Sequence, residues 1–405
     1  MTPFYRNVPV LAIAQSLMMS ANSLIVASAA LVGAMLAEDK SLATLPLAIQ
    51  FIATMLTTIP ASLLMDRIGR KTAFMLVTLV GMTAGALATW AIITDSFWLF
   101  ACATGLVGVF NGFGNYYRFA AADAVDESLK GRAISWVMIG GVIAAFIGPN
   151  LANHTRELID GATFAGSYAA LVLIYLLSLV ITASLKLPHR FHNVMEHDMA
   201  EQRPLGEIMR QPKFIVAVIC AMFGYGVMSL VMTATPLAMD HHHHHFDDTA
   251  FVIQWHVLAM FAPSFFTGEL IRRFGVSRIM GTGALLGLAC VVLNLAGTSV
   301  AHFWWALVAL GISWNFLFIG GTTLLTETYR QAERAKVQAA NDFIVFTTVA
   351  VASLSAGYLQ YSYGWQTVNL GVVPLLLLIL ASIAWLTLTQ HRSSQRGAVE
   401  MQGRE

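Results

Sequence analysis

Five consecutive histidines, His241, His242, His243, His244 and His245, stand between Asp240 and the pair Asp247-Asp248 in a chain that is otherwise mostly apolar. Imidazole and carboxylate together suit zinc, nickel, cobalt and similar divalent ions. Side chains in an unbroken run diverge, however, whereas metal sites use spaced ligands held by an outer shell of hydrogen bonds. Two readings follow: a solvated loop, which we rank first, or a mouth that gathers metal ions, with His256 continuing the path inward. A second set of polar residues recurs at helical spacing. Gly108, Asn111, Asn115 and Arg118 share one helix face; Gln15, Met19 and Asn22 share another; Tyr225, Met228, Met232 and Thr235 a third; Gly311, Asn315, Phe318 and Thr322 a fourth. Taken singly, such amides serve as well to glue helices together. Taken as a set, Gln15, Asn22, Asn111, Asn115, Arg118, Tyr225, Asn315 and Thr322 are the expected lining of a polar cavity. Arg118 precedes Asp123 by five residues, so it lies about 7–8 Å further along a helix. It points into the cavity or snorkels to an interface.

These residues must be positioned by membrane helices. The chain has 405 residues, 57% hydrophobic and 11% charged, with a mean hydropathy of +0.68. A soluble fold cannot hide so much apolar surface. A span needs roughly 20 apolar residues, and runs of that length recur twelve times between about residues 9 and 389, among them 97–121, 249–271, 336–359 and 365–389. The first run, residues 9–35, is too long for a signal peptide and reads as the first span. The longest polar interruption, 186–212, divides the spans six and six. We therefore expect an all-α membrane protein of two six-helix bundles, 1–185 and 213–390, joined by the linker 186–212, in which a short helix is expected, and followed by a tail, 391–405. Of the 23 Lys and Arg residues, 21 fall in the even-numbered loops, the linker and the two tails; the odd-numbered loops hold Lys40 and Arg156. That bias predicts an inner-membrane protein with both termini cytoplasmic and the histidine loop outside. The net charge of +1 gives no pull toward nucleic acid. Cys102, Cys220 and Cys290 are too few and scattered for a disulfide framework. No nucleotide-binding loop, paired carboxylates or nucleophile elbow is present, so neither an enzyme nor a cofactor is expected.

The halves also echo each other. Met65-Asp66-Arg67-Ile68-Gly69-Arg70-Lys71 after span 2 returns as Ile271-Arg272-Arg273-Phe274-Gly275-Val276-Ser277 after span 8, at an offset of 206 residues. Asn111 returns as Asn315 at an offset of 204. Parallel six-span repeats are a transporter architecture with the site between the halves. In that position Asp66-Arg67-Ile68-Gly69-Arg70-Lys71 resembles the signature loop of the major facilitator superfamily, although Ser62 stands where the family pattern begins with glycine. The resemblance implies that Asp66 and Arg70 join Asp123 to latch the halves in the outward-open state. It also implies a small-molecule substrate, a coupling proton, a lipid setting and a monomer.

Gly148-Pro149, in span 5, resembles the Gly-Pro segment of the family's drug and metabolite antiporter branch. Ala144, Ala152 and Asn153 replace three of its glycines, and Gly108 stands where that branch carries an arginine. Few groups remain to carry a coupling proton, and Asp123 and Asp342 are the candidates. The leading expectation is proton-coupled efflux of a small organic solute by alternating access. A divalent-metal transporter using the histidine loop, and a membrane sensor that transports nothing, are the alternatives.

Overall fold

The computed structural model describes residues 3–126, 129–186 and 202–402. Most of the linker lies outside the described residues. The ordered elements are α1 (Pro3–Leu36), α2 (Leu45–Ile68), α3 (Arg70–Ile93), α4 (Phe97–Gly114), α5 (Tyr117–Asp123), α6 (Lys130–Thr155), α7 (Ala165–Ala183), α8 (Leu205–Met209), α9 (Pro212–His241), α10 (Phe246–Phe261), α11 (Ser264–Phe274), α12 (Val276–Ala296), α13 (Val300–Thr326) and α14 (Arg334–Gln402). Among the described residues, ten helices are long and apolar enough to cross a membrane, and the pair α10–α11, bent by 45°, makes an eleventh. The predicted count of twelve is reached only by dividing α14, which is two helices meeting at a kink at Gly364 (φ 80°, ψ 175°). The outward faces carry exposed Leu56, Ile59, Leu173 and Val292, a lipid-facing belt that water would not tolerate.

Three spans differ from the expectation. Span 4 breaks between Gly114 and Tyr117, so Arg118 lies on the separate helix α5. Span 8 breaks at Ala262-Pro263, because Pro263 has no amide hydrogen to continue the helical ladder. The expected tail is not a separate segment, since α14 runs on to Gln402. The short linker helix is α8.

Repeat symmetry shows at the backbone. Gly69 (φ 82°, ψ 147°) and Gly275 (φ 86°, ψ 148°) turn the chain in one step between α2 and α3 and between α11 and α12. A side chain at such a positive φ is strained, which is why glycine recurs there. Inside each half the helices meet through small residues, because lipid offers no hydrophobic drive for helix association. A Cβ on Gly108 would stand 2.2 Å from the Gln50 carbonyl oxygen, and Thr54 Oγ1 donates to the Gly108 carbonyl at 3.1 Å. Gly108 therefore faces α2 and not a cavity. Gly148 does the same for α6 on α1, where a Cβ would meet Ser20 and Ser23 at 2.6 Å. Pro149 sits within α6.

The face carrying the termini is here the terminal face, and the other the loop face. The halves are latched at the loop face. Thr44 Oγ1 donates to the Leu354 carbonyl at 3.3 Å and accepts from the Gly357 amide at 3.0 Å. Asn150 Nδ2 donates to Gln254 Oε1 at 2.5 Å. Arg156 pairs with Asp247 at 3.6 Å, and the Phe164 and Phe246 rings meet edge to face at 4.9 Å. At the terminal face, ion pairs such as Arg70–Asp123 and Lys213–Glu327 stay within one half. Arg203 ties the linker to the C-terminal half through buried Glu333 at 2.7 Å, and this arginine's hydrogen bonds hold the Glu333 carboxyl well below the usual carboxylate range.

A Cβ at Gly357 would stand 2.6 Å from Thr44 Oγ1, so Gly357→Val is expected to loosen the loop-face latch. Spin labels at Glu38 and Ser362, both exposed, then read a longer distance distribution than in the parent protein. An unchanged distribution contradicts the latch.

Candidate functional site

In the N-terminal half three amides form one network. Asn22 on α1 and Asn111 on α4 bond reciprocally: Asn22 Nδ2 donates to Asn111 Oδ1 at 3.2 Å and Asn111 Nδ2 donates to Asn22 Oδ1 at 2.7 Å. Gln50 on α2 adds Nε2 to Asn22 Oδ1 at 3.0 Å. Because Asn22 presents an acceptor there, Gln50 must present its nitrogen, and its oxygen is left over. Gln50 is 2% exposed and its Oε1 is buried with no hydrogen-bond partner. Gln15, two turns before Asn22 on α1, is likewise buried with an unpaired Oε1. Sequence reasoning found Asn22, Asn111 and Gln15 but missed Gln50. A lone amide inside the predicted second span was the available signal.

In the C-terminal half the matching region is aromatic. Trp314 and Phe318, one turn apart on α13, stack with centroids 5.1 Å apart and planes 8° from parallel. Tyr225 on α9 meets both edge-on, at 5.3 Å and 5.6 Å. Phe261 of α10 reaches Trp314 at 5.9 Å, and Phe346 of α14 reaches Tyr225 at 6.2 Å. Edge-to-face and offset-stacked geometry is what ring quadrupoles favour. The Trp314 indole Nε1 is buried without a partner. Tyr225 was expected here; Trp314, Phe261 and Phe346 were not, although the Trp314–Phe318 spacing placed both on one turn.

Asn315 has a different task from its repeat mate Asn111. It is fully buried, and its amide is saturated by the broken span: Nδ2 donates to the Met260 carbonyl and Ser264 Oγ, and Oδ1 accepts from Thr267, each at 2.7 Å. It pins the α10–α11 bend instead of facing a solute. Thr322 is exposed and donates to its own helix at the Phe318 carbonyl. Asn115 is half-buried at the end of α4. Arg118 is exposed, lies over the Phe119 ring at 4.8 Å, and interacts electrostatically with Asp342 of the opposite half. Asp342 also accepts from Asn341 at 3.1 Å, eight residues beyond the start of α14, so it is not a helix-start acid.

Of the signature loop, Arg70 pairs with Asp123 at 2.6 Å within the N-terminal half. Asp66 and Arg67 are exposed on the last turns of α2, and Lys71 begins α3 beside Arg70. Asp123 is thereby engaged, which leaves Asp342 as the freer acid.

The histidines do not assemble. His241 ends α9, the chain turns through His243 at φ 61°, and α10 begins at Phe246. His244 Nε2 contacts the Thr298 carbonyl at 2.6 Å, and its ring abuts Phe303. Burial and the neighbouring imidazoles push His242 below its usual pKa, and His243 and His245 are exposed. His256 is remote from them by sequence and fully buried, with Nδ1 against the Leu307 carbonyl at 2.8 Å. Among the described residues no three His, Cys, Asp or Glu side chains are gathered to hold a metal ion.

Helices, repeat and interface together are those of a membrane carrier. The Major Facilitator Superfamily model matches residues 11–253 and again 217–404, and the chain belongs to that family. It is 45% identical over 380 residues to the riboflavin transporter RfnT of Brucella anthropi, covering 93% of this chain and 95% of that one. It is 26% identical to the uncharacterized transporter YddS of Bacillus subtilis, covering 87% and 85%. Among solved structures it resembles an inward-facing, unoccupied bacterial homolog of the human lysosomal transporter Spinster (TM-score 0.72, 14% identity, 94% and 96% covered). It also resembles the nucleoside transporter NupG (TM-score 0.72, 12% identity, 93% and 98% covered). These two likenesses concern the fold alone. The chain is a multi-pass membrane protein of a family of small-molecule transporters.

Removing the Asn315 side chain orphans the buried Met260 carbonyl and two hydroxyl contacts. Interhelical bonds in membranes are individually weak, so the expected loss for Asn315→Ala is about 2 kcal/mol. It should appear as a lower midpoint of thermal unfolding in detergent. An unchanged midpoint with lost transport would return Asn315 to the solute site.

Proposed function

We propose that this protein carries riboflavin across the inner membrane by alternating access, coupled to protons. The observation that carries this reading is the 45% identity to a riboflavin transporter across nearly the full length of both chains. The interface is consistent with it, since a flat heteroaromatic solute calls for rings to stack on and amides to read its edge. Orientation rests on the sequence bias, 21 of the 23 basic residues falling in the even-numbered loops, the linker and the tails, which points the terminal face to the cytoplasm by the positive-inside rule. With the latch at the loop face, the conformation is then inward-facing.

Asp342 is the proposed proton carrier. It stands on the C-terminal half, and Arg118 of the N-terminal half is an unlike charge that acts on it from across the interface. Movement of the halves changes that separation, so the acid's proton affinity changes with conformation. Export was the direction implied by the Gly-Pro resemblance, but Gly148 is accounted for by close packing on α1. A carrier of this kind moves solute in whichever direction the combined gradients dictate.

Riboflavin flux into sealed proteoliposomes under an imposed pH gradient tests both parts. The parent protein should accumulate riboflavin against its gradient in a manner abolished by a protonophore. Asp342→Asn should lose that accumulation and keep riboflavin–riboflavin exchange. Absence of any riboflavin flux removes the substrate assignment. Gradient-driven accumulation by Asp342→Asn removes only the role of the acid.

A further inference from the structure

The amide network and the aromatic cluster lie on opposite halves, and several contacts bring them to one interface. Phe51, next to Gln50 on α2, packs with Ala221, Val345 and Val349 of the C-terminal half, the same apolar cluster that Tyr225 and Phe318 pack against. On the other side, a Cβ at Gly141 of α6 would meet the Phe261 ring at 2.7 Å, and one at the adjacent Gly140 would meet the Ser16 backbone of α1 at 2.8 Å. The aromatic cluster is thus held between α2 and α6 of the N-terminal half, beside the helices that bear Gln15, Asn22 and Gln50. Asn22, Tyr225 and Phe318 are each only half-buried.

Among the buried polar atoms that have no partner are Gln50 Oε1 on one half and Trp314 Nε1 on the other. Leaving a buried acceptor or donor unpaired carries its full desolvation cost. Neither atom is needed by the fold, since Gln50 is anchored through its nitrogen and Trp314 through its ring contacts. The remaining capacity of the triad has a definite pattern. Asn22, Asn111 and Gln50 each keep a second amide hydrogen, and Gln50 keeps its oxygen. Donors flanking an acceptor are the complement of a cyclic imide, whose carbonyl, N–H and carbonyl read acceptor, donor, acceptor.

We propose that this interface binds the flat, imide-bearing ring system of the solute: Tyr225, Trp314 and Phe318 stack on its face, while Asn22, Gln50 and Asn111 read its imide edge, with Gln50 Oε1 accepting from the imide N–H. The assignment rests on the riboflavin reading, because the isoalloxazine ring carries such an imide. It makes Gln50 and Trp314 the specificity-determining residues, one on each half, so a seated ring bridges the halves.

Flavin fluorescence quenching on purified full-length protein in nanodiscs tests this. Riboflavin is titrated beside N3-methylriboflavin, which keeps ring and ribityl chain but has no imide hydrogen. The parent protein is expected to bind the methylated compound at least roughly tenfold more weakly, because Gln50 Oε1 is then left unpaired. Gln50→Ala should bind both compounds about equally, and Gln50→Glu, which keeps an acceptor, should restore preference for riboflavin. Trp314→Ala should weaken both and reduce the quenching at saturation. Equal affinity of the parent protein for the two flavins overturns the subsite, whatever the variants do and whether or not they fold. Failure of the parent protein to bind riboflavin at all overturns the transport reading, and the subsite with it.

Discussion

Inside a bilayer no water is present to satisfy a polar group, so each must be paired within the protein. That constraint organises most of what is seen here. Hydroxyls turn back onto their own helices, as Thr54, Thr78 and Thr235 do to the carbonyl four residues before. Amides bond across helices, as Asn294 does to Asn369 at 2.8 Å. At the broken eighth span, Asn315 bonds the Met260 carbonyl and the Ser264 and Thr267 hydroxyls on the two sides of the bend. Several buried polar atoms nevertheless keep no partner, and Gln15 Oε1, Gln50 Oε1 and Trp314 Nε1 are the ones among them that lie on the helices carrying the amide network and the aromatic cluster.

The same constraint explains how two related halves diverge. Their turn glycines, Gly69 and Gly275, have nearly identical dihedral angles, and their span-4 and span-10 asparagines occupy matching places. Yet Asn111 meets another amide across to α1, whereas Asn315 is consumed by a bend that the first half lacks. One half is left with spare amide hydrogens and the other with stacked rings. On the proposed reading, a solute seated between the halves meets different chemistry on each. The latch at the loop face has the complementary property: Thr44, Asn150 and Arg156 engage partners on the other half through few, separable contacts.

Span positions, the repeat and the family were readable in the sequence because hydropathy and the Asp66–Lys71 loop are local signals. The division of labour among polar residues was not. Helical spacing grouped Gly108 with Asn111 and Arg118, but a glycine has no side chain to aim, and its neighbours decided that it would seat α2. Asn315 matched the cavity pattern and was claimed by a break whose cause, Pro263, lay 52 residues away in the chain. Gln50 was hidden for the opposite reason: it is a single amide in an apolar run, and only the folded arrangement shows that its nitrogen is used and its oxygen is not. The five histidines looked like chemistry through composition alone, and among the described residues no three of them gather to hold a metal ion.

The most direct measurement is a structure of the protein with riboflavin bound, determined by cryo-electron microscopy in nanodiscs. The ring system is predicted to lie between Trp314 and Gln50, with its imide edge toward Asn22 and Asn111. Flavin density seated instead in the cavity of about 700 Å³ at the loop face, among Lys40, His241 and Tyr361, would contradict the central claim.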